Sequence, residues 1–436
     1  MDDGAVSYAR RLGLFSGTMA VVGGIIGGGI FRTPVTVAER VGSPGLVLVA
    51  WVLGGAIALI GAFCFGELGW RRPRAGGGYV YLRETWGSLP AFLYGWTLVL
   101  VIATGAIAAV AVTFANYALA LAGLPDRYTV PLAVGAIVLL AGINYVGVRP
   151  AAITQNIFTV LKLAALAALI GAGIFLAAPT APYPVSPPPL ASGLGAALVP
   201  ILFTYGGWQQ TNFIAEEIIE PERNLPRALV IGVAIVVAVY LLANVAYLRV
   251  LGAAGLAAST APAADVMQAV LGPVGGKMIA AGIAVSTFGF LNLVILVTPR
   301  VLQAMAADGV FFARLAVLHP VYRTPAAAIV ALAACAIALA LSKTFGQLVD
   351  YVTFGDWIFF GLTVAGLFVY RRRDGRPPAF GVPGYPWTPA LFVLAAAYTV
   401  VSAVASNPRN AGVGTLLIGA GIPIFLYWRR RSAALG

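Results

Sequence analysis

The sequence is poor in charged residues, which occupy 10% of its 436 positions, whereas an ordinary soluble domain carries about 25%. Hydrophobic residues occupy 60%, so this chain has too few charges to cover a water-facing surface of its size. The net charge of +12 would suggest a nucleic-acid partner in a soluble protein. Here the basic residues lie in short runs between apolar segments, as orientation in a lipid bilayer requires. We therefore expect an integral membrane protein, with the bilayer and not nucleic acid as its surroundings.

Cysteine and histidine are equally scarce. The two cysteines, Cys64 and Cys335, both lie inside apolar segments, and His319 is the single histidine. This excludes a disulfide framework, a zinc site and a redox pair, so we expect no metal and no cofactor. Residues 1–15 lack the apolar core and cleavage site of a signal peptide, so the first apolar segment is expected to stay attached.

Long apolar runs are abundant. A membrane-crossing helix needs about 20 apolar residues, and twelve windows meet this length approximately: Phe15–Pro34, Gly45–Phe65, Leu89–Leu121, Val130–Val146, Ile153–Ala178, Leu194–Ala215, Pro226–Val250, Val274–Ala306, Pro325–Leu341, Leu348–Tyr370, Trp387–Ala405 and Ala411–Trp428. The proline-rich stretch Pro179–Pro189 between the fifth and sixth windows is predicted to be an outer connector. The sequence predicts an all-α membrane protein of a single domain, 1–436.

Basic residues set the predicted orientation. With a cytoplasmic N-terminus, the inner loops collect most of the arginines, including Arg71, Arg72 and Arg74 after the second window. The outer loops collect only Arg40, Arg127, Arg249, Lys277, Lys343 and Arg409. Because basic loops stay in the cytoplasm, both termini are predicted to be cytoplasmic, in the inner membrane of a bacterium.

Two windows contain glycine clusters where a helix should be continuous. The first reads Gly23–Phe31 and the second Phe203–Trp208, each about halfway along its window. Each glycine costs a helix interior about 1 kcal/mol, and unwound backbone at that depth is tolerated only where it is buried or lines a cavity. Interrupted helices at corresponding places in two inverted halves indicate a transporter binding site.

The exposed peptide groups of such breaks suit a zwitterionic amino acid. Freed amides bind a carboxylate, and freed carbonyls bind an ammonium group. We therefore expect the amides of Gly27, Gly28 and Gly29 to hold the carboxylate, and the carbonyls near Ile25 and Phe203 to hold the amine.

Tyr205, Gly206 and Gly207 at the second cluster are predicted to belong to the same site.

The glycine clusters have two other interpretations. Gly23 and Gly27 also have the G-x-x-x-G spacing of a helix-packing motif. A nucleotide-binding loop is disfavoured because no strand precedes the glycines.

Several motifs match a known family. They are Gly24–Phe31 with Thr33 and Pro34, Glu67–Gly69 followed by Gly76–Tyr81, Phe203–Trp208 with Glu216–Arg227, and Ser286–Gly289 followed by Asn292, Arg300 and Gly309. Together they resemble the amino acid–polyamine–organocation (APC) superfamily, and the sixth-helix stretch resembles its L-type amino acid transporter (LAT) branch. The resemblance implies a leucine-transporter-like fold of two inverted five-helix repeats, 12–177 and 194–370, with two further helices in 387–428. It also implies sodium-independent amino acid transport, usually exchange.

The sequence departs from this family at two places. The family usually carries a serine where Gly28 stands, so a hydroxyl is missing from the expected carboxylate site. Members with an associated heavy chain carry a cysteine in the outer loop that corresponds to Gly123–Thr129, and this loop has none. No disulfide-linked heavy chain is therefore expected.

Lys162 and Asp356 are charged residues inside predicted spans. A lysine at such depth costs about 2.5–3.5 kcal/mol and is a functional candidate. By the resemblance, Lys162 occupies the cation site of sodium-coupled relatives and links the broken first helix to Ser286. Asp356 could select cationic substrates, carry a proton, or pair with Arg32. Phe203 resembles the aromatic gate above the substrate.

The carboxylates Glu216, Glu217, Glu220 and Glu222 are expected in a solvated, ion-paired cytoplasmic loop. The alternative is an inner gate whose ion pairs break during transport, in which Glu67 could take part by facing arginines.

Three functions were compared. The best supported is a transporter of L-amino acids working by alternating access, either as an exchanger of neutral substrates or as a proton-coupled or cationic amino acid permease. A non-transporting amino acid sensor would need a large soluble signalling region, which the sequence does not show. A membrane enzyme would need a nucleophile in an activating motif beside Lys162 or Asp356, so we expect no enzyme.

Overall fold

The computed structural model describes residues 6–177, 190–342, 345–375 and 378–435, and their regular structure is helical. Within these ranges there is no strand, and an isolated parallel bridge joins Leu12 to Ile218. The predicted connector Pro179–Pro189, Lys343 and Arg376 lie outside the described residues.

The α-helices follow one another with short connections. In chain order they are α1 (Leu14–Ile25), α2 (Thr33–Val41), α3 (Pro44–Arg71), α4 (Gly78–Trp86), α5 (Ser88–Thr97), α6 (Thr104–Ala122), α7 (Thr129–Tyr145), α8 (Val148–Gly171), α9 (Leu190–Thr204), α10 (Pro221–Ala258), α11 (Pro262–Ala307), α12 (Ala326–Ser342), α13 (Phe345–Asp374), α14 (Trp387–Ser406), α15 (Pro408–Gly419) and α16 (Gly421–Leu435). Segments of 3₁₀ helix cover Gly29–Phe31, Asp126–Tyr128, Trp208–Glu217 and Ala313–Ala316, and π-helical segments cover Leu98–Ala103 and Ala172–Leu176.

Eight helical stretches in the described ranges are long and apolar enough to cross a membrane. They are Pro44–Arg71, Ser88–Ala122, Asp126–Tyr145, Val148–Leu176, Pro221–Ala258, Pro262–Ala307, Trp387–Ser406 and Pro408–Arg431. Four predicted windows are not among them, for three reasons. The first and the sixth are divided by a break, α12 has only 17 residues, and the window in α13 falls partly among side chains that the structure does not describe.

The outer surface of these helices is apolar. Val138 and Leu139 of α7 are more than half exposed, as is Leu394 of α14. Contiguous apolar surface of this kind is unfavourable in water and favourable against lipid chains. The exposed faces therefore support the membrane location that the composition predicts.

Both predicted interruptions are present. Helix α1 ends at Ile25, a short 3₁₀ turn covers Gly29–Phe31, and α2 begins only at Thr33. Helix α9 ends at Thr204, and a 3₁₀ helix resumes at Trp208 after Gly207. Gly207 has a left-handed φ of 112°, which an L side chain rarely adopts. The glycines thus end the helices where the sequence places them.

The two interrupted helices cross at glycine. A Cβ atom added to Gly207 would lie 2.2 Å from the carbonyl oxygen of Gly24. Around this crossing, α1 packs against α8, α10 and α11, while α10 packs along α3. Other helices therefore surround the two breaks and hold them in the interior of the bundle.

Candidate functional site

A cavity of about 740 Å³ lies between the two breaks. Most of the residues predicted for the site line it, namely Ile25, Gly27, Gly28, Gly29, Phe203, Gly206, Gly207 and Asp356. The remaining wall comes mainly from the first half of α6, from the middle of α11, and from Trp357 and Phe360 of α13. The fold thus brings together glycines that are about 180 residues apart in sequence.

Peptide amides of the first break are free to bind a ligand. In the described part of the chain, no acceptor is found for the N–H groups of Gly28 and Gly29. The Gly27 amide differs, because it donates to the Ile25 carbonyl at 2.9 Å. Unpaired amides at the start of a helical segment attract an anion. Two of the three predicted amides are therefore available for a carboxylate.

The carbonyls predicted to hold the amine are partly occupied. The Ile25 oxygen accepts from the Gly27 amide and, at 3.1 Å, from the hydroxyl of Tyr240. A carbonyl oxygen has two lone pairs, and both lone pairs of the Ile25 oxygen are already used by these donors. The Phe203 oxygen accepts from the Gly206 amide at 3.0 Å and keeps one lone pair. The geometry thus favours Phe203 over Ile25 as the acceptor for an ammonium group.

Lys162 lies behind the first break and outside the cavity lining. Its ammonium group donates to the carbonyls of Gly23 at 3.2 Å and Ile26 at 2.7 Å. Ser286 donates to the same Ile26 oxygen at 3.3 Å, and both side chains are buried. The carbonyls at the end of a helix carry partial negative charge. A fixed cation therefore compensates the interrupted end of α1.

Asp356 lines the cavity, and no hydrogen bond or ion pair to its carboxylate is found in the described ranges. In particular, its carboxylate makes no ion pair with Arg32, whose side chain is exposed. The structure therefore gives no support to the Arg32 alternative. Within the described residues, the Asp356 carboxylate therefore remains available to a cationic group in the cavity.

The aromatic residues of the second break separate into two groups. Phe203 lines the cavity and meets Trp357 edge to face, with ring centroids 6.3 Å apart. Tyr205 does not line the cavity, although we expected it there. Its hydroxyl donates to the Trp51 carbonyl at 3.3 Å, and its ring packs against Trp51 and Tyr240. The step of two residues from Phe203, at the end of α9, turns the Tyr205 side chain into the core.

A buried polar chain on α8 was not predicted. The amide of Gln155 donates to Thr159, which donates to the Met19 carbonyl of α1 at 3.2 Å. Asn292 of α11 donates to Gln155 at 3.0 Å and accepts from Asn144 at 3.1 Å. With Lys162, these α8 positions follow a spacing of four and three residues, which places them on one helix face. That spacing is visible in the sequence and indicates a polar seam that holds α1.

A buried ion pair closes the end of the 3₁₀ segment that follows the second break. Arg300 donates to Glu217 at 2.7 and 3.1 Å, and both side chains are at most 1% exposed. Tyr8 covers the guanidinium group of Arg300 at 5.9 Å, and Leu12 donates to the Glu217 carbonyl. Glu217 is therefore not part of a solvated loop, because the N-terminal segment and α11 enclose it.

Two further predicted carboxylates, Glu220 and Glu67, also have arginine partners. Glu220 and Arg223 form an exposed contact at 3.7 Å. Glu67 faces arginines, with Arg71 at 2.9 Å and Arg371 also bound.

We expect Glu217→Gln to lower stability strongly. Removing one partner of a buried ion pair costs about 3–5 kcal/mol, because the other charge stays buried without compensation. The melting temperature of the purified protein in detergent should fall by several degrees. Arg223→Gln is the matched control, since an exposed pair contributes about 0–1 kcal/mol. Equal shifts in the two variants would contradict this account of Glu217.

Metal binding finds no support in the described residues, which contain no group of three histidine, cysteine, aspartate or glutamate side chains placed to hold an ion. The described cavity lining instead combines peptide groups, apolar and aromatic side chains, uncharged polar side chains of threonine and glutamine, and the carboxylate of Asp356.

Comparison with known proteins identifies the family to which this chain belongs. A family model described as amino acid permease matches residues 12–428. The chain is 33% identical over 446 residues to Large neutral amino acids transporter small subunit 2 of Homo sapiens, covering 98% of this chain and 82% of that protein. It is 33% identical over 445 residues to Asc-type amino acid transporter 1 of Mus musculus, covering 98% and 83%. It is 31% identical over 429 residues to Serine/threonine exchanger SteT of Bacillus subtilis, covering 98% of each chain. The resemblance found in the motifs is confirmed, and with it the expectation of a transporter in place of an enzyme: this chain belongs to the amino acid permease family.

Proposed function

We propose that this permease exchanges neutral L-amino acids across the cytoplasmic membrane of a bacterium, without sodium, by alternating access. The observation that carries the proposal is that the amides of Gly28 and Gly29 have no acceptor among the described residues, at a helix break that faces a cavity. The names of the relatives, which include large neutral amino acid and serine/threonine transporters, support this substrate class.

The proposed architecture is twelve membrane helices in a leucine-transporter-like arrangement. The first repeat is 12–177, the second is 194–370, and 387–428 forms two additional helices. The breaks in the first and sixth spans support the two inverted halves, because spans that differ by five in chain order would run in opposite directions, and each is interrupted about halfway along its predicted window. The proposed orientation has both termini in the cytoplasm, and the distribution of arginines supports it.

Each end of the substrate has a proposed partner. The carboxylate binds the amides of Gly28 and Gly29, and the ammonium binds the free lone pair of Phe203. The Phe203 ring then covers the substrate as a gate. Lys162 supplies the internal charge that a sodium ion supplies in coupled relatives, and Ser286 shares the Ile26 carbonyl with it.

The permease is proposed to work without a covalently attached heavy chain. Two of the relatives are longer, since this chain spans 82% and 83% of them, whereas it spans 98% of the bacterial exchanger. The loop Gly123–Thr129 also offers no cysteine for a disulfide.

Proton-coupled uptake is the second candidate. It is favoured by Asp356, a carboxylate on the cavity wall with no partner among the described residues, and by Lys162 close behind the break. Either group could carry a proton through the transport cycle.

Counterflow in proteoliposomes tests the proposal. Vesicles loaded with one neutral amino acid are supplied with each of twenty labelled amino acids outside, with and without sodium and with and without a pH gradient. We expect uptake of neutral substrates only into preloaded vesicles, and neither sodium nor the pH gradient should affect this uptake. Uptake into empty vesicles driven by the pH gradient would replace exchange with proton coupling. The matched control is vesicles without protein.

A further inference from the structure

Asp356 is the ionisable residue among those that line the cavity in the described structure. The other polar groups there are uncharged side chains such as Thr33, Gln209 and Thr298, together with peptide groups of the breaks. The carboxylate is partly exposed to the cavity and has no hydrogen-bond donor in the described ranges. Its negative charge is therefore directed to whatever occupies the cavity.

No cation among the described residues neutralises this carboxylate. Within the described residues, no lysine or arginine approaches it to 4 Å, and Lys162 is engaged by the carbonyls of Gly23 and Ile26. A carboxylate removed from water is unfavourable unless a partner compensates its charge. A substrate that carries its own cation would provide that compensation on binding.

Aromatic rings line the same cavity as the carboxylate. Trp357 follows it directly, and its ring lies 6.3 Å from Phe203 and 5.6 Å from Phe360. Such rings pack against an aliphatic stem, and their faces attract an ammonium group. The cavity volume of about 740 Å³ leaves room for a side chain of lysine length beside the α-carboxylate and α-amine.

We propose that this permease also takes amino acids whose side chain ends in an ammonium group, with Asp356 binding that group. The inference rests on the proposed function, because it uses the same cavity and the same partners for the α-carboxylate and α-amine. It adds diamino acids to the neutral substrates and makes Asp356 the residue that determines whether diamino acids bind.

Competition in counterflow tests the proposal. Labelled leucine is exchanged in proteoliposomes while lysine, ornithine, 2,4-diaminobutyrate or glutamate is added outside, and each labelled diamino acid is then supplied as the substrate. We expect the diamino acids to compete and to be taken up, whereas glutamate should do neither, because its carboxylate would face that of Asp356.

Two variants assign the effect to the carboxylate. Asp356→Asn keeps the shape and removes the charge, so the ratio of lysine exchange to leucine exchange should fall about tenfold or more, which is about 1.4 kcal/mol. Asp356→Glu keeps the charge and extends it by one methylene, so the preferred diamino acid should become shorter. Gly142→Ala, on α7 in open space and away from the cavity, is the control variant.

The outcomes separate this inference from the proposed function. Absence of any leucine counterflow would refute the exchanger itself. Leucine counterflow without competition by any diamino acid would overturn the role of Asp356 alone. Leucine exchange that depends on pH in the wild type and not in Asp356→Asn, again without competition, would assign the carboxylate to a proton and equally overturn it. If Asp356→Asn is inactive, its thermal stabilisation by leucine and by lysine decides, because only the response to lysine should be lost.

Discussion

Lys162→Ala should reduce amino acid exchange by about 100-fold or more. The ammonium group makes charge-assisted hydrogen bonds to Gly23 and Ile26, at 3.2 and 2.7 Å, and each such bond contributes about 1.5–3 kcal/mol. Without it, two carbonyls at the end of α1 lose their compensating charge, and the neighbouring amides of Gly28 and Gly29 lose their fixed position. Initial rates of counterflow in proteoliposomes measure the effect.

Two further variants show whether the charge is responsible. Lys162→Met keeps an unbranched stem of similar length and removes the ammonium group, so it should be as inactive as Lys162→Ala. Lys277→Ala removes an exposed lysine from α11 and should exchange at the wild-type rate. If Lys162→Met transports normally, the side chain acts by filling space and our account of its charge is wrong.

Gly207→Ala should prevent folding of the transport-competent protein. Its methyl group would lie 2.2 Å from the Gly24 carbonyl oxygen, and the backbone φ of 112° is strained for any L residue. Both the strain and the overlap involve backbone atoms, so no change of side-chain rotamer can relieve them. The yield of monodisperse protein in size-exclusion chromatography should therefore collapse.

The comparison with other glycines makes this prediction specific. Gly28→Ala places its methyl group in open space at an ordinary φ of −82°, so this variant should fold. Gly142→Ala replaces a glycine inside α7 with nothing within 4 Å and should be as stable as the wild type or slightly more stable. A Gly207→Ala protein that purifies like these two would show that the crossing of the two breaks is looser than described.

The sequence alone was sufficient to locate the breaks, because glycine acts locally on the helix in which it stands. It also led to Lys162, since a charge inside an apolar window needs a partner. The direction in which side chains point could not be obtained in this way. Phe203 and Tyr205 are two residues apart, yet only the first lines the cavity, and this depends on how the broken segment is rotated against α3 and α10.

The burial of Glu217 was beyond prediction for a related reason. Its neighbours Glu216, Glu220 and Glu222 give the stretch the composition of a solvated loop. Only the return of the N-terminal segment and of α11 to the same place removes it from water, and those contacts join residues that are far apart in sequence. The polar seam at Gln155 and Thr159, in contrast, could have been found from its helical spacing.

The contact between Gly24 and Gly207 has a mechanical consequence. Because no side chain separates the two backbones at this point, a tilt of α1 about the crossing would move Gly24 least. Leu14 lies ten residues from Gly24 along α1, about 15 Å at 1.5 Å per residue, so a tilt of about 20° would displace it by about 5 Å. The glycine pair would thus act as the fulcrum of a lever, with the least movement of α1 beside the cavity and the greatest at its Leu14 end.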